Sequence, residues 1–366
     1  MSAKRNALLV AVGLGLSLGI HAAGYQTEVV AEGLDHPWSL AFLPDGRMLV
    51  TERAGRLRVI DEAGNLREEP VDGLPDIFNQ SQAGLFEVAL DPQYDETGRL
   101  FISYACGTES ANHTCLISAR LQDNRLTEVT EIFRVKPAKE GGAHYGGRIA
   151  FLPDNTLVLG LGDGFTYREQ AQNKENHLGS IVRLKRDGSA PQDNPFVDEP
   201  GAQPEIFSIG NRNVQGIVYD QANQRIVAHE HGPRGGDEIN IIEPGKNYGW
   251  PKVTHGVDYS GAVISPHEQM EGMEDPIVMW KPSIAPSGMT LYRGGMFPEW
   301  DGDFLVSALA AREVRRVRLD GREEVEQESL FKELGERFRD VRTGPDGAIF
   351  LLTDAEEGQV IRVYRE

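Results

Sequence analysis

The chain has 366 residues, 40% of them hydrophobic and 25% charged, enough to bury a large core. Its 56 acidic residues outnumber the 37 basic ones, for a formal net charge of −19. That balance argues against nucleic acid as a partner, because binding phosphates needs a basic surface; an acidic, solvated exterior is the simpler consequence.

Residues 1–23 read as an export signal. Lys4 and Arg5 form a basic start, Ala7 to Ile20 an apolar run of 14 residues, and His21-Ala22-Ala23-Gly24 a small-residue exit. The run falls short of the ~20 residues that span a bilayer, so cleavage and no lasting membrane insertion are expected; an uncleaved anchor is the alternative. The remainder, 24–366, contains no Pro/Ser-rich linker and reads as one domain.

Within that domain one pattern recurs: an apolar residue or two, a Pro-Asp or similar turn, Gly, then an alternating strand. It appears as AFLPDGRMLVTER from 41, ALDPQYDETGRLFISYA from 89 and AFLPDNTLVLGLGDG from 150. Weaker copies are IVYDQANQRIVAHEHG from 217, MFPEWDGDFLVSAL from 296 and TGPDGAIFLLTDAEEG from 343. Each has hairpin chemistry: Pro presets φ, Asp or Asn caps the turn, and Gly takes the positive φ. Six hairpins share the domain at roughly 57 residues apiece, within reach of a four-stranded blade plus loops.

The expected fold is therefore all-β, a six-bladed β-propeller with four-stranded antiparallel blades. A β-sandwich accommodates six equivalent hairpins less well. The strands within 338–354 are expected to share a blade with the chain's beginning and so close the ring. Inserts at 164–177, 186–205 and 252–289 are expected to crowd one end of the central channel. Cys106 and Cys115 flank a short polar loop between two strands, so a disulfide stapling that hairpin is expected, with a metal pair including His113 as the rival.

Polar clusters punctuate the strands. In chain order they are Gln80 and Gln82 ahead of an apolar strand, His144 within GGAHYGGRIAF, Asp163 within GLGDG, and Arg212 and Asn213 within IGNRNVQG. HEHGPRGGDEIN follows, and then Arg337 and Arg339, two apart on one strand face. An imidazole is a base near neutral pH. Arginines converging from several blades suit a polyanionic small molecule, since guanidinium pairs with carboxylate bidentately. The residues alone leave an acidic sugar or an acidic peptide equally open. The glycines around His144 either shape a turn or clear space for a flat ligand and a sugar, and the second is the expectation here.

GLDHPWSLAFLPDGRMLVTERAGRLRVI, HYGGRIAF, GNRNVQG, GPRGGDEINIIEPGKNYGWP and RFRDVRTGPDG run in that order to near the C-terminus. Together they resemble the quinoprotein glucose/sorbosone dehydrogenase family, closest to its periplasmic aldose sugar dehydrogenase branch. The resemblance implies a propeller holding pyrroloquinoline quinone (PQQ) over the channel mouth with a calcium ion beneath. It implies oxidation of the anomeric hydroxyl of an aldose to the lactone, with hydride passing to the quinone and electrons to an external acceptor. A periplasmic monomer or dimer is expected.

The same resemblance distributes roles. His144 becomes the catalytic base, and Arg212 and Asn213 the pair facing the quinone oxygens, Arg212 stabilising the charge that develops there. Gln82 and Asp163 contribute to the cofactor pocket, and Arg337 and Arg339 grip PQQ carboxylates. Gly232 and Pro233 offer carbonyls to the cofactor calcium, while Glu238 and Tyr248 contribute to a second, structural calcium site. One departure stands out: in SALAAREV, where related enzymes carry a lysine near the cofactor's acidic groups, this chain has Ala310. Either Arg312 or Arg315 reaches across, or PQQ is held more weakly.

His229 and His231 lie two apart and offer a transition-metal pair; the expectation is that one borders the sugar site and the other packs at the blade edge. Two other functions are compatible with the fold, a propeller lactonase or related metal hydrolase and a cofactor-free propeller binding glycans or proteins. The channel candidates are Arg, His and backbone Gly-Pro rather than clustered carboxylates, which favours the dehydrogenase.

Overall fold

Six antiparallel sheets surround a common axis in the computed structural model, which describes residues 24–366; the signal expected at 1–23 lies outside them. The turn chemistry explains the hairpins. Gly46 takes φ of +86°, its N–H closes the turn on the Leu43 carbonyl at 3.0 Å, and Asp45 Oδ1 accepts the Arg47 N–H at 3.2 Å.

The inner strands are Pro37–Phe42, Leu85–Leu90, Gly146–Phe151, Val214–Asp220, Pro286–Leu291 and Phe338–Thr343, one per blade. Each touches the next and the last touches the first, so the ring is closed. Closure is made as expected. The strand Gln26–Leu34 pairs with Gly358–Tyr364 and supplies the outer edge of the sixth blade.

Five blades have four strands, and the first has three, Pro37–Phe42, Met48–Glu52 and Arg56–Ile60. Its outer edge is covered by an irregular segment. Leu66 bridges Ile60, the Arg67 N–H reaches the Val59 carbonyl at 2.9 Å, and the Val71 N–H reaches that of Leu57 at 2.8 Å. Pro70, which has no N–H, interrupts what would be a regular ladder there. Cys106 and Cys115 form the expected disulfide across one hairpin of the second blade, which removes both sulfurs from metal binding; His113 Nδ1 bonds the Val135 carbonyl instead.

Between blades the packing is apolar. Leu49, Leu57 and Val59 of the first blade join Leu85, Leu100 and Ile102 of the second in one buried cluster. Each such side chain contributes about 1.5–3 kcal/mol by leaving water.

The axis itself is polar, and Arg148, 2% exposed, is its hub. Arg148 Nη1 lies 3.0 Å from Asp340 Oδ1 and 3.6 Å from Glu87 Oε2. Its Nε donates to the Gln215 carbonyl and its Nη2 to the Ser287 carbonyl, both at 2.9 Å. The guanidinium carbon sits 4.0 Å from the Trp38 ring centroid. Counting Arg148's own strand, all six blades meet at this one side chain.

Segments 164–177 and 252–289 meet at one end of the channel, where Arg168 Nη1 lies 3.4 Å from Asp258 Oδ2. Segment 186–205 does not join them, contrary to expectation. It leaves the strand Ser180–Lys185 at Lys185, which pairs with Thr156, at the end of the blade away from Asp163. Strand polarity therefore sends it to the opposite rim, where Asp193 pairs with Arg183 at 2.9 Å.

Candidate active site

Antiparallel blades bring the beginnings of inner strands and the ends of second strands to the same rim, and the predicted polar clusters gather there for that reason. His144 precedes the inner strand of the third blade in left-handed backbone, φ +53°, a conformation that costs a non-glycine residue about 1–2 kcal/mol. Its surroundings hold it there. The His144 N–H donates to Gln82 Oε1 at 2.9 Å, and Nδ1 lies 2.6 Å from Asp163 Oδ1. The ring of Phe165 stands edge-on to the imidazole at 5.0 Å between centroids.

Asp163 is itself fully tied: the Trp250 Nε1–H reaches Oδ2 and the Phe165 N–H reaches Oδ1, each at 2.7 Å. Burial would raise its carboxyl, but the His144 hydrogen bond and the His144 and Arg212 charges outweigh that and hold it below the ordinary value. His144 is also held below its ordinary value, by burial first and then by the Arg212 and Lys139 charges, against the pull of Asp163. The pair is thus an aspartate with a neutral imidazole whose proton sits on Nδ1. Nε2 accepts no hydrogen bond from any described residue, which leaves its lone pair available to a ligand proton.

Lys139 lies beneath this loop and was not singled out from sequence. It is 3% exposed, donates to the Gly141 carbonyl at 3.2 Å, and rests its ammonium 3.7 Å from the Tyr145 ring centroid. Burial brings it down to about 7. The charged groups acting on His144 are Asp163, Arg212 and Lys139. Replacing Lys139 with Met removes a cation that disfavours the imidazolium, so the His144 pKa should rise. If His144 sets the acid limb of kcat/KM, that limb is expected to move to higher pH in the Met variant. Lys139→Arg should retain the original limb. A pH profile unchanged in the Met variant would refute the coupling.

Of the glycines around His144, Gly142 and Gly147 answer to close packing, while Gly146 does so and also lines the cavity beside His144, where the expected open space is found. A Cβ on Gly142 would lie 2.3 Å from the Gln80 carbonyl oxygen, and one on Gly146 2.3 Å from that of Gly160. A Cβ on Gly147 would sit 2.9 Å from the Phe86 ring. Tight strand-to-strand approach is what excludes side chains there.

Beside His144 a cavity of about 240 Å³ opens at the rim, lined by Trp38, Phe86 and Tyr145 together with Gln82, Asn213 and Gln215. Gly146, Arg53, Arg337, Arg339, Asp354, His231 and Leu309 complete it. Arg337 and Arg339 straddle Asp354, with contacts of 3.1 and 3.2 Å. Asn213 Oδ1 accepts the Gly146 N–H at 3.1 Å, which ties the fourth blade to the His144 loop. Ala310 is exposed; Arg312 bonds the Gly335 carbonyl and Arg315 pairs with Glu313, so neither lines the cavity.

Arg212, 3% exposed, spends its Nη1 on the carbonyls of His231 and Gly232, at 2.9 and 2.7 Å. Its guanidinium carbon lies 5.2 Å from the Trp250 centroid and 5.9 Å from that of Tyr259. A carbonyl has two lone pairs, so Gly232 keeps one for another partner, and Pro233 lines the adjoining groove with Tyr259. His231 borders the cavity with Nε2 2.6 Å from the Pro286 carbonyl. His229 packs against Gly216, where a Cβ would meet its Nε2 at 2.1 Å. The two histidines thus divide, His231 at the cavity and His229 buried against the inner strands at Gly216 and Gly288 rather than at a blade edge.

Behind Arg212, Glu238 faces Glu230 across neighbouring strands, and both are buried. Burial first, and then nearby carboxylates, push both carboxyls up, Glu238 to about 7. The amide oxygens of Asn211 and Asn240 are buried without a partner, and each residue's side chain bonds one of the two glutamates. The Tyr248 hydroxyl is engaged by the Ile241 carbonyl and the Glu243 N–H at 2.7 and 2.8 Å, so only its backbone carbonyl is open to a metal. Sequence reasoning missed Glu230, which is separated from Glu238 by the whole HGPRGGD turn. The axial carboxylates Glu87 and Asp340, the groups a metal hydrolase would draw on, are each ion-paired with Arg148 and Arg342.

The family model for glucose/sorbosone dehydrogenases matches residues 34–362. The chain belongs to that family. It is 40% identical over 356 residues to the aldose sugar dehydrogenase YliI of Escherichia coli, covering 96% of this chain and 95% of that one. The apo soluble aldose sugar dehydrogenase of E. coli superposes with a TM-score of 0.90 at 38% identity, over 93% of this chain and all of that one (100%). The PQQ-bound aldose sugar dehydrogenase of Streptomyces coelicolor superposes with a TM-score of 0.75 at 28% identity, over 94% and 99% of the two chains. Family membership places this propeller among the sugar dehydrogenases.

Proposed function

We propose that the protein oxidises the anomeric hydroxyl of aldose sugars to the lactone, using PQQ and calcium, and passes the electrons to an external acceptor. The cavity carries this reading. PQQ is a flat aromatic quinone bearing three carboxylates, and the cavity sets the aromatic wall of Trp38, Phe86 and Tyr145 against the guanidinium groups of Arg53, Arg337 and Arg339. When bound, the quinone with its calcium supplies the hydride acceptor and a Lewis acid.

The chain's own residues do the rest. His144 Nε2 takes the proton of the anomeric hydroxyl, while Asp163 fixes the Nδ1–H tautomer and stabilises the imidazolium that forms. Arg212, pinned by two carbonyls, holds a fixed positive charge at the rim where oxyanion character develops. Gln82 and Asn213 position the His144 loop and face the cavity. Phe165 and Tyr259, 46% and 60% exposed and stacked at 6.5 Å, offer apolar surface to the sugar ring.

The Gly232 and Pro233 carbonyls suit a hard cation beside the cofactor, and Glu238, Glu230 and the Tyr248 carbonyl suit a structural one. The unpartnered amide oxygens of Asn211 and Asn240 support the second site. Calcium is expected to raise the Tm of the cofactor-free protein, and a chelator to lower it. In Glu238→Gln that response should shrink to a small residue. A full calcium response in the variant would remove Glu238 from the site. The leader-like residues 1–23 and the Cys106–Cys115 disulfide support work in the periplasm.

The direct test supplies PQQ and calcium to purified apo protein and follows dye reduction with a panel of aldoses. Aldose-dependent reduction supports the reading. A folded protein that reduces no dye with any aldose refutes it, and hydrolysis of a lactone instead would favour the hydrolase.

A further inference from the structure

We propose that Arg53 is a third guanidinium that grips an anionic group of the cofactor, gathered from the first blade; the proposal rests on the PQQ reading above. Arg53 follows the second strand of that blade, immediately after Glu52. Its backbone is locked: the N–H donates to the His36 carbonyl at 3.1 Å, and the carbonyl accepts the Leu85 N–H at 3.0 Å. Gly84 packs directly on it, where a Cβ would stand 2.1 Å from the Arg53 oxygen and 2.6 Å from its Cγ. The stem is therefore aimed by close contacts, and its far end lines the cavity.

That far end is uncompensated. Arg337 and Arg339 share Asp354, the one carboxylate among the cavity-lining residues, whereas the Arg53 guanidinium makes no hydrogen bond or ion pair with any described residue. Its charge acts on the partly buried Arg339 as a like charge. A folded chain gains nothing by converging three guanidiniums on one carboxylate unless an anion completes the set.

The position also answers the gap at Ala310. The sixth blade, which carries Arg337 and Arg339, stands between the fifth blade, where Ala310 lies, and the first. Arg53 thus approaches the same pair from the other side, while Arg312 and Arg315 are turned to other partners. Planar guanidinium and carboxylate suit a bidentate contact, which an ammonium cannot reproduce.

The experiment is equilibrium binding of PQQ to the apo protein with calcium present, read by protein fluorescence across a salt series. Wild type, Arg53→Gln, Arg53→Lys and Arg312→Gln are compared, with thermal melts to establish folding. Arg53→Gln is expected to raise the Kd roughly 10- to 100-fold and to flatten its salt dependence. Arg53→Lys should fall between it and wild type, and Arg312→Gln should match wild type. Should the Gln variant fail to fold, the Lys variant decides alone. Wild-type affinity and salt slope in the folded Arg53 variants overturn the assignment while leaving the PQQ reading standing. A wild-type protein that does not bind PQQ overturns both.

Discussion

His144→Ala is expected to lower kcat with any aldose roughly 10²–10⁴-fold while PQQ still binds with near-wild-type affinity. The split between the two effects follows from the geometry. His144 Nε2 is the open end of the Asp163–His144 pair, whereas the cavity-lining His231 has no carboxylate partner to stabilise an imidazolium. Lys139 is buried against Tyr145, and His231 is committed to the Pro286 carbonyl at 2.6 Å. His231 is also held well below the ordinary imidazole value, by burial first and then by the Arg212 and Arg339 charges. Among the cavity-lining groups assigned to the cofactor, Trp38, Phe86, Arg53, Arg337 and Arg339 come from other blades and make no hydrogen bond to the imidazole, and Gln82 holds the His144 N–H rather than its ring. His144 is not itself among the cavity-lining residues. His144→Gln is the companion variant, because it keeps a hydrogen-bonding group near Asp163 and separates lost chemistry from a collapsed loop. Stopped-flow measurement of cofactor reduction isolates the step in question. Turnover within about threefold of wild type in both variants would remove His144 from the chemistry.

How much of this was legible in the sequence depends on the range of the interaction. The hairpins are local: Pro, Asp and Gly at fixed offsets and a period of two set them, so six blades could be counted. Ring closure by residues 26–34 was also inferable, because the last hairpin otherwise lacks a strand. The third blade shows the limit. Its insert at 186–205 was placed at the wrong rim, since nothing in its composition reports which end of the strand it leaves. The close packing at the glycines near His144 was hidden for a related reason. Gly142 and Gly146 answer to Gln80 and Gly160, contacts that exist only after neighbouring strands close up. Arg53 follows an ordinary strand, and Glu230 sits in a histidine-rich stretch that drew the eye elsewhere. The catalytic candidates were recoverable through resemblance of whole motifs, whereas Lys139, outside those motifs, and Arg53, inside one, appeared only in three dimensions.

Arg148→Met should be the most destabilising single change at the axis, costing about 3–5 kcal/mol and lowering Tm by on the order of 5–15 °C. Arg148 resides in HYGGRIAF, four residues after His144, yet it faces the axis and lines none of the cavity. Its guanidinium lies against Glu87, 2% exposed, and Asp340, 0% exposed, two carboxylates taken out of water in the interior. Arg342 pairs with both carboxylates but stands alone once Arg148 is gone. The methionine also forfeits the hydrogen bonds to the Gln215 and Ser287 carbonyls and the contact with Trp38, so the fourth, fifth and first blades each lose a tie to the hub. Removing one member of a buried ion pair leaves an unpaired charge, which costs more than removing both. Arg148→Met combined with Asp340→Asn should therefore recover part of the lost Tm, since the amide still accepts from Arg342 and the Leu40 N–H. Non-additivity of that sign in thermal melts is the signature of the hub. A single variant melting within about 2 °C of wild type would show that the blades are held by their apolar interfaces alone and that the axial network is dispensable.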